Sequence, residues 1–149
     1  MELTDPVKAV LQHKSSDVWS VGPDASVYEA IEMMSEKHIG ALLVISEGRL
    51  VGAISERDYA RKVILLGKSS RKTPVREIMA SPVISVRPDA TVEECMREMT
   101  DNRIRHLPVV DGQSVLGVVS IGDLVKWIIS AHEQTIRDLH SYITGRYPG

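Results

Sequence analysis

The chain has 149 residues, with 18 Lys and Arg against 20 Asp and Glu, a net charge of −2 and 43% apolar residues. That composition fits a globular unit and excludes the disordered class, which needs low hydrophobicity and high net charge. Near-zero charge argues against nucleic-acid binding, no apolar run approaches the roughly 18 residues of a membrane span, and a single cysteine, Cys95, excludes an internal disulfide or a cysteine-rich zinc site.

The chain repeats itself. Shifted by 65 positions, Ser20–Ile64 falls on Ser85–Ile129 without a gap and with 15 identities in 45 positions. The leading segments also match, Pro6-Val7-Lys8 with Pro74-Val75-Arg76, at an offset of 68. In chain order, Trp19–Val21 is a short β-prone run followed by Pro23-Asp24 as a turn, and Ile84–Val86 with Pro88-Asp89 is its second copy. Ser26-x-x-Glu29 and Thr91-x-x-Glu94 then read as capping boxes that open helices. Val27, Ala30, Ile31 and Met34 make one apolar helix face, and Val92, Cys95, Met96 and Met99 make the other, which places Cys95 in a core. Ala41–Ile45 with Leu50–Ile54, and Leu107–Val110 with Val115–Val119, are apolar runs flanking short turns and predict two hairpins. A second helix begins at Ser55 in one copy and at Ser120 in the other. Gly67–Thr73 is a polar linker, and Thr73-Pro74 opens a short helix reaching about Met79, with Pro74 at its first position. Ile136, Leu139 and Ile143 predict a further amphipathic helix ending at Gly145, its apolar stripe suited to dimerisation or to internal packing. Each β-α-β-β-α copy is too small to be secure alone, so the two are expected to pack sheet to sheet around one shared core.

Gly-x-x-Ser-x-x-Asp occurs at Gly52–Asp58 and again at Gly117–Asp123, and Arg105-His106-Leu107-Pro108-Val109 stands in the second copy. With Ile54–Val63 and Ser120–Lys126, these residues make the chain resemble a tandem CBS-domain protein (a Bateman module) of the small stand-alone bacterial type, over roughly residues 4–131. The fold class implied is α/β (α+β): two β-α-β-β-α CBS repeats with pseudo-twofold symmetry plus a C-terminal helix. Repeat 1 takes residues 4–66, the linker 67–73, repeat 2 residues 74–131, and the C-terminal helix and tail 132–149. The resemblance further implies disc-like homodimers, an adenine nucleotide (AMP, ADP, ATP or NAD(H)) as regulatory ligand between the repeats, and no catalysis.

Chemically, Ser55-x-x-Asp58 and Ser120-x-x-Asp123 are first of all capping boxes. A helix N-terminus also favours a phosphate, and a carboxylate one turn in can accept both hydrogens of a ribose diol. The resemblance carries Asp58 and Asp123 over as ribose contacts, and Ser55 and Ser120 as ribose or phosphate contacts. Gly52 and Gly117 lie inside strands, where glycine marks a close approach. Arg105 is the leading phosphate candidate, since a guanidinium gives forked, charge-assisted donors. His106 beside it is either a pH-sensitive ligand contact or a packing residue. Gly40 and Ala41 stand opposite Arg105 and His106, so the copies are not equivalent, and the first would borrow Arg57 or Arg61. Ile104, Leu107, Ile121 and Gly122 complete the second site, with adenine read by backbone near Ile39–Leu42 and Ile104–Leu107. Residues 56–76 carry seven basic and two acidic side chains, either a phosphate-facing surface or a solvated face with a loop.

Enzyme signals are poor. Gly67-Lys68-Ser69 resembles the end of a phosphate-binding loop, but Lys62 stands where that loop needs glycine. No Gly-x-Gly-x-x-Gly and no nucleophile elbow occurs, and Ile136 takes the place of a second zinc-binding histidine after His132-Glu133. MELTDPVKAV has no apolar core behind a basic head, so a cytoplasmic protein is expected. The function expected is a sensor that binds an adenine nucleotide and signals to an effector protein; the alternative is a ligand-free scaffold acting through protein contacts.

Overall fold

The computed structural model describes residues 2–14 and 18–143. The chain divides into two compact units. One comprises Met1–Ser16, Val86–Val109 and Leu116–Gly149, the other Asp17–Ser85 and Val110–Val115.

The first helix of each copy forms where its cap and apolar spacing require. Helix α1 (Val7–Gln12) precedes strand β1 (Ser20–Val21) and helix α2 (Val27–Lys37). The Ser26 hydroxyl accepts the Glu29 N–H at 3.1 Å, and Val27, Ala30 and Met34 are buried. In helix α4 (Val92–Asn102) the box is reciprocal: Thr91 accepts the Glu94 N–H at 3.1 Å and the Glu94 carboxylate accepts the Thr91 N–H at 3.3 Å. Both helices stop at a left-handed residue, His38 (φ 56°) and Arg103 (φ 54°). The next N–H, of Ile39 or Ile104, then returns to the Met34 or Met99 carbonyl at 3.0 Å, which closes the last turn.

Strands β2 (Ala41–Ser46) and β3 (Arg49–Ser55) form an antiparallel hairpin whose turn has positive φ at both Glu47 and Gly48, the geometry that matches strand twist. β1 adds in parallel to β2, giving the order β1-β2-β3. Strands β4 (His106–Asp111) and β5 (Ser114–Ser120) form the second hairpin. The expected strand at Ile84–Val86 shrinks there to one parallel bridge, Val86 with Val109. The cause is Pro108. In the first copy the Leu43 N–H donates to the Trp19 carbonyl at 3.3 Å; Pro108 occupies the equivalent position and has no N–H to give.

The buried side chains sort into two clusters, one per unit. One contains Val92, Cys95, Met99, Leu107, Val109, Val119, Leu124 and Trp127, the other Val27, Ala30, Met34, Leu42, Val44, Ile54 and Val63. The leading segments explain why each cluster closes on itself. Val7 and Val10 complete the cluster of the second copy, and Val75 and Ile78 complete that of the first. The exchange is written in the backbone. Val7 N–H donates to Ala90 O (2.7 Å) and Val92 N–H to Asp5 O (2.9 Å); Val75 N–H donates to Ala25 O (2.8 Å) and Val27 N–H to Thr73 O (2.9 Å). Pro74 is the extended cap of a single 3-10 turn, Val75–Glu77, rather than the first residue of a helix to Met79, because its neighbours pair with Ala25 and Val27.

The same exchange accounts for the strand glycines. A Cβ on Gly52 would lie 2.5 Å from Met79 Sδ and 3.1 Å from the Ala80 carbonyl, and one on Gly117 would lie 3.0 Å from Leu11 Cδ2. The close approach inferred at both positions is made by the protein's own leading segments.

Helix α3 (Glu56–Tyr59) runs into a π-helical turn, Ala60–Ile64, and the chain turns at Gly67 (φ 68°). The π turn absorbs one residue, so Val63, four after Tyr59, takes the buried place that Trp127, three after Leu124, takes in the other copy. Helix α5 is unbroken from Ile121 to Ile143, so the separate C-terminal helix expected is a continuation of the second repeat's last helix. No Gly or Pro lies between Asp123 and Ile143 to stop it. Its expected end at Gly145 and the side chain of Ile143 lie outside the described residues. Among the described residues no helix is long and apolar enough to cross a membrane.

Candidate functional site

The start of α5 gathers the most chemistry. Its cap is reciprocal: the Asp123 N–H donates to Ser120 Oγ at 3.1 Å, and the Ser120 N–H donates to Asp123 Oδ2 at 2.8 Å. The Arg105 carbonyl accepts the Ile121 N–H at 2.9 Å, which ties the entry of β4 to the helix start. The capping reading of Ser120-x-x-Asp123 is therefore realised, with one addition. Lys14, just after α1, donates its ammonium to Asp123 Oδ2 at 2.6 Å and to the Val118 carbonyl at 2.9 Å. Burial acts to raise the Asp123 pKa, but the hydrogen bonds from Lys14 and Ser120 outweigh it and hold the carboxyl below its ordinary value. Lys14 carries no motif and lies 109 positions from Asp123; only its place just past the leading apolar segment could have pointed to it.

His106, at the start of β4, is in the field of the same charges. Shielding of its ring, then the Lys14 charge, lower its pKa, with Asp123 opposing and Arg105 adding to the depression. The net effect favours the neutral imidazole. The Arg105 side chain is exposed and has no hydrogen-bond or ion-pair partner among the described residues. Lys14 and Ser120 bond to the Asp123 carboxylate, and His106 links this group electrostatically to Arg105. The flanking positions differ in kind. Leu107 is fully buried in the core, Ile104 and Ile121 are partly buried against it, and Gly122 is exposed, where a Cβ would lie in ordinary contact with Ser120 Oγ at 3.6 Å.

In the matching region of the first copy both carboxylate oxygens are engaged. Asp58 Oδ2 accepts the Ser55 N–H at 2.9 Å and the Ser55 hydroxyl at 3.0 Å, while Oδ1 faces the Lys62 ammonium at 3.3 Å. Lys62 also donates to the Ile78 carbonyl at 3.0 Å. Gly40 is exposed and its carbonyl accepts the Glu56 N–H at 3.0 Å; Ala41 pairs with Ser55 in the sheet. No cation stands where Arg105 and His106 stand in the second copy. Arg57 and Arg61 are exposed and unpaired among the described residues.

The basic stretch at 56–76 divides in two. Lys62 is paired, Arg76 is bonded to Asp24, and Arg71 lies 3.9 Å over the Tyr28 ring. The linker is not a loose loop, since the Tyr28 N–H donates to the Ser70 carbonyl at 3.0 Å and the Thr73 hydroxyl to the Ser69 carbonyl at 2.7 Å. A groove of about 500 Å³ lies in the unit holding β2 and β3, lined by Arg49, Leu50, Val51, Ser81, Pro82, Val83, Ser85, Val110, Gly112 and Gln113. None of the sequence-nominated site residues lines it. No group of His, Cys, Asp and Glu able to hold a metal occurs among the described residues.

Known proteins place the chain. A mitochondrial CBS domain-containing protein of Arabidopsis thaliana, CBSX3, is 42% identical over 142 residues, covering 90% of this chain and 68% of that protein. The CBS domain-containing protein YhcV of Bacillus subtilis is 31% identical over 79% of this chain and 84% of its own length. A solved structure of a candidate signal-transduction protein with CBS domains from Burkholderia ambifaria superposes with a TM-score of 0.80 at 46% identity, covering 84% of this chain and 94% of that one. The CBS domain profile matches residues 7–64 and 75–130, the two copies with their leading apolar residues. The chain therefore belongs to the CBS-domain family, whose paired members are generally regulatory modules.

Proposed function

We propose that this protein is a cytoplasmic nucleotide sensor, with its principal site at the start of α5. One observation carries this reading: Lys14 and Ser120 bond to Asp123 at a helix N-terminus, and His106 lies in the field of Lys14, Asp123 and Arg105. The partial positive charge there and the Arg105 fork suit a phosphate, and among the described residues Asp123 Oδ1 meets no protein donor. A ribose hydroxyl on that oxygen and a phosphate near the cations support a ligand of the nucleotide class, with an adenine nucleotide as the reading the family favours. The first-copy site, with Asp58 engaged on both oxygens and no equivalent of Arg105, binds more weakly. Binding alters an effector's affinity only through a difference in affinity for two states of the module.

Thermal melting in the presence of AMP, ADP, ATP, NAD(H) or S-adenosylmethionine tests the proposal. A nucleotide at 100 times its Kd adds about 2.7 kcal/mol of stability. Flat melting across the panel refutes it.

A second reading rests on α5. Val125, Ile129, Ile136 and Leu139 are 40–66% exposed along one helix, an unpartnered apolar stripe that fits a second copy of the chain. A scaffold that acts through this homodimer contact, with its sites empty, needs no ligand. Light scattering of the wild type and of Ile136→Lys separates the two. Loss of a dimer with ligand-induced stabilisation retained favours the sensor.

A further inference from the structure

We infer that Lys14 is an exchangeable counter-ion that keeps the Asp123 site closed to nucleosides and opens it to nucleotides. The inference rests on the nucleotide reading above and specifies which ligands the site accepts. Asp123 Oδ2 already receives two strong donors, the Ser120 N–H at 2.8 Å and the Lys14 ammonium at 2.6 Å. A ribose diol held by both hydroxyls needs this oxygen as well as Oδ1. The Ser120 N–H is fixed by the helix cap, so Lys14 is the donor that gives way.

Lys14 can move. It lies beyond the end of α1, and its ammonium is a point charge on a flexible four-carbon stem. Leaving Asp123 without compensation strands two opposite charges, which a ligand must offset. A phosphate does so, because it takes up the ammonium alongside Arg105 and His106. A nucleoside brings the diol and no anion, so it breaks the ion pair and returns nothing.

The first copy holds an independent version of the device. Lys62 bridges Asp58 and the Ile78 carbonyl as Lys14 bridges Asp123 and the Val118 carbonyl. The two lysines do not correspond in the repeat. The position matching Lys62 is Trp127, and that matching Lys14 is Pro82. Both carboxylates thus carry a lysine from a different direction.

The test compares AMP with adenosine by calorimetry on the full chain, in the wild type and in Lys14→Met. In the wild type AMP binds far more tightly than adenosine. In Lys14→Met adenosine binds more tightly than before, AMP more weakly, and the preference falls at least about tenfold, the size expected for losing one charge-assisted contact. If the wild type binds AMP but the preference is unchanged in Lys14→Met, the exchange is refuted and the nucleotide reading stands. If neither protein binds either compound, the inference fails, and flat melting across the wider panel then removes the nucleotide reading as well. A ligand-free check uses carboxyl-carbon NMR of Asp123. Its titration midpoint rises in Lys14→Met and stays low in Lys14→Arg; an unmoved midpoint in Lys14→Met overturns the latch.

Discussion

Replacing Gly52 with alanine separates a packing role for the strand glycines from a ligand role. Neither Gly52 nor Gly117 has a positive φ, so both backbones accept alanine and the cost is set by what the new methyl meets. At Gly52 it meets Met79 Sδ at 2.5 Å and Cγ at 2.9 Å, which a flexible side chain can yield. It also meets the Ala80 carbonyl at 3.1 Å, which cannot yield. Two backbone hydrogen bonds, Ala53 N–H to Ala80 O at 3.1 Å and Ala80 N–H to Ala53 O at 2.8 Å, hold that carbonyl in place. At Gly117 the methyl meets only the end of the Leu11 side chain, at 3.0 and 3.3 Å. Overpacking a core costs about 1–3 kcal/mol, and Gly→Ala returns about 0.4–1 kcal/mol through the unfolded chain. Gly52→Ala is therefore expected to lose about 1–2 kcal/mol and Gly117→Ala less than about 1 kcal/mol. At about 2–4 °C per kcal/mol for a chain of this size, the first lowers Tm by several degrees and the second barely moves it. Adding Met79→Ala to Gly52→Ala should recover part of the loss, a coupling that a urea-unfolding cycle measures directly. Equal losses at the two glycines, or strict additivity with Met79→Ala, would refute the packing explanation.

Other outcomes follow from the same geometry. His38→Gly and Arg103→Gly relieve left-handed strain at exposed helix ends, so each should stabilise by about 0.5–1 kcal/mol in urea unfolding; destabilisation at both would contradict the assigned caps. The Cys95 thiol, pushed up to about 11 by burial and then by Glu94 and Glu98, should stay unreactive to a disulfide reagent at pH 8 until the chain unfolds. Prompt labelling of the native protein would place it outside the core. Asp123 has a folded pKa below the unfolded value of about 3.9, so its contribution is complete above that value and fades as pH falls toward the folded one. The stability gap between wild type and Asp123→Asn should be constant from pH 7 to about 5 and shrink below it. A gap that instead closed between pH 8 and 6 would implicate another group.

Much of the fold was legible because the repeat states each signal twice. Thr91-x-x-Glu94 and Ser26-x-x-Glu29 mark helix starts, and the Val27 and Val92 faces are the faces buried. The exchange of leading segments was not legible. The 68-residue offset says that Val7 and Val75 are equivalent, but a short apolar segment suits either cluster, and only pairing with Ala90 or Ala25 decides. The continuous α5 was readable in principle, from the lack of Gly and Pro after Asp123 set against Gly67 and Pro74 in the first copy. Pro108 likewise announced the lost strand pairing at Ile84, once its partner was known. At the site, the Ser-x-x-Asp caps were visible in sequence, whereas Lys14 was not. An ion pair between residues this far apart leaves no local pattern, because chain topology alone brings them together.

The most direct measurement is a proton–nitrogen NMR titration of the protein with AMP. Binding at the start of α5 should shift the amides of Ser120–Asp123 and Ile104–Leu107 and the ring signals of His106, with its pKa drawn upward by the bound phosphate. No shifts at all, or shifts confined to Arg49–Val51, Ser81–Ser85 and Gln113 along the groove, would place the function elsewhere.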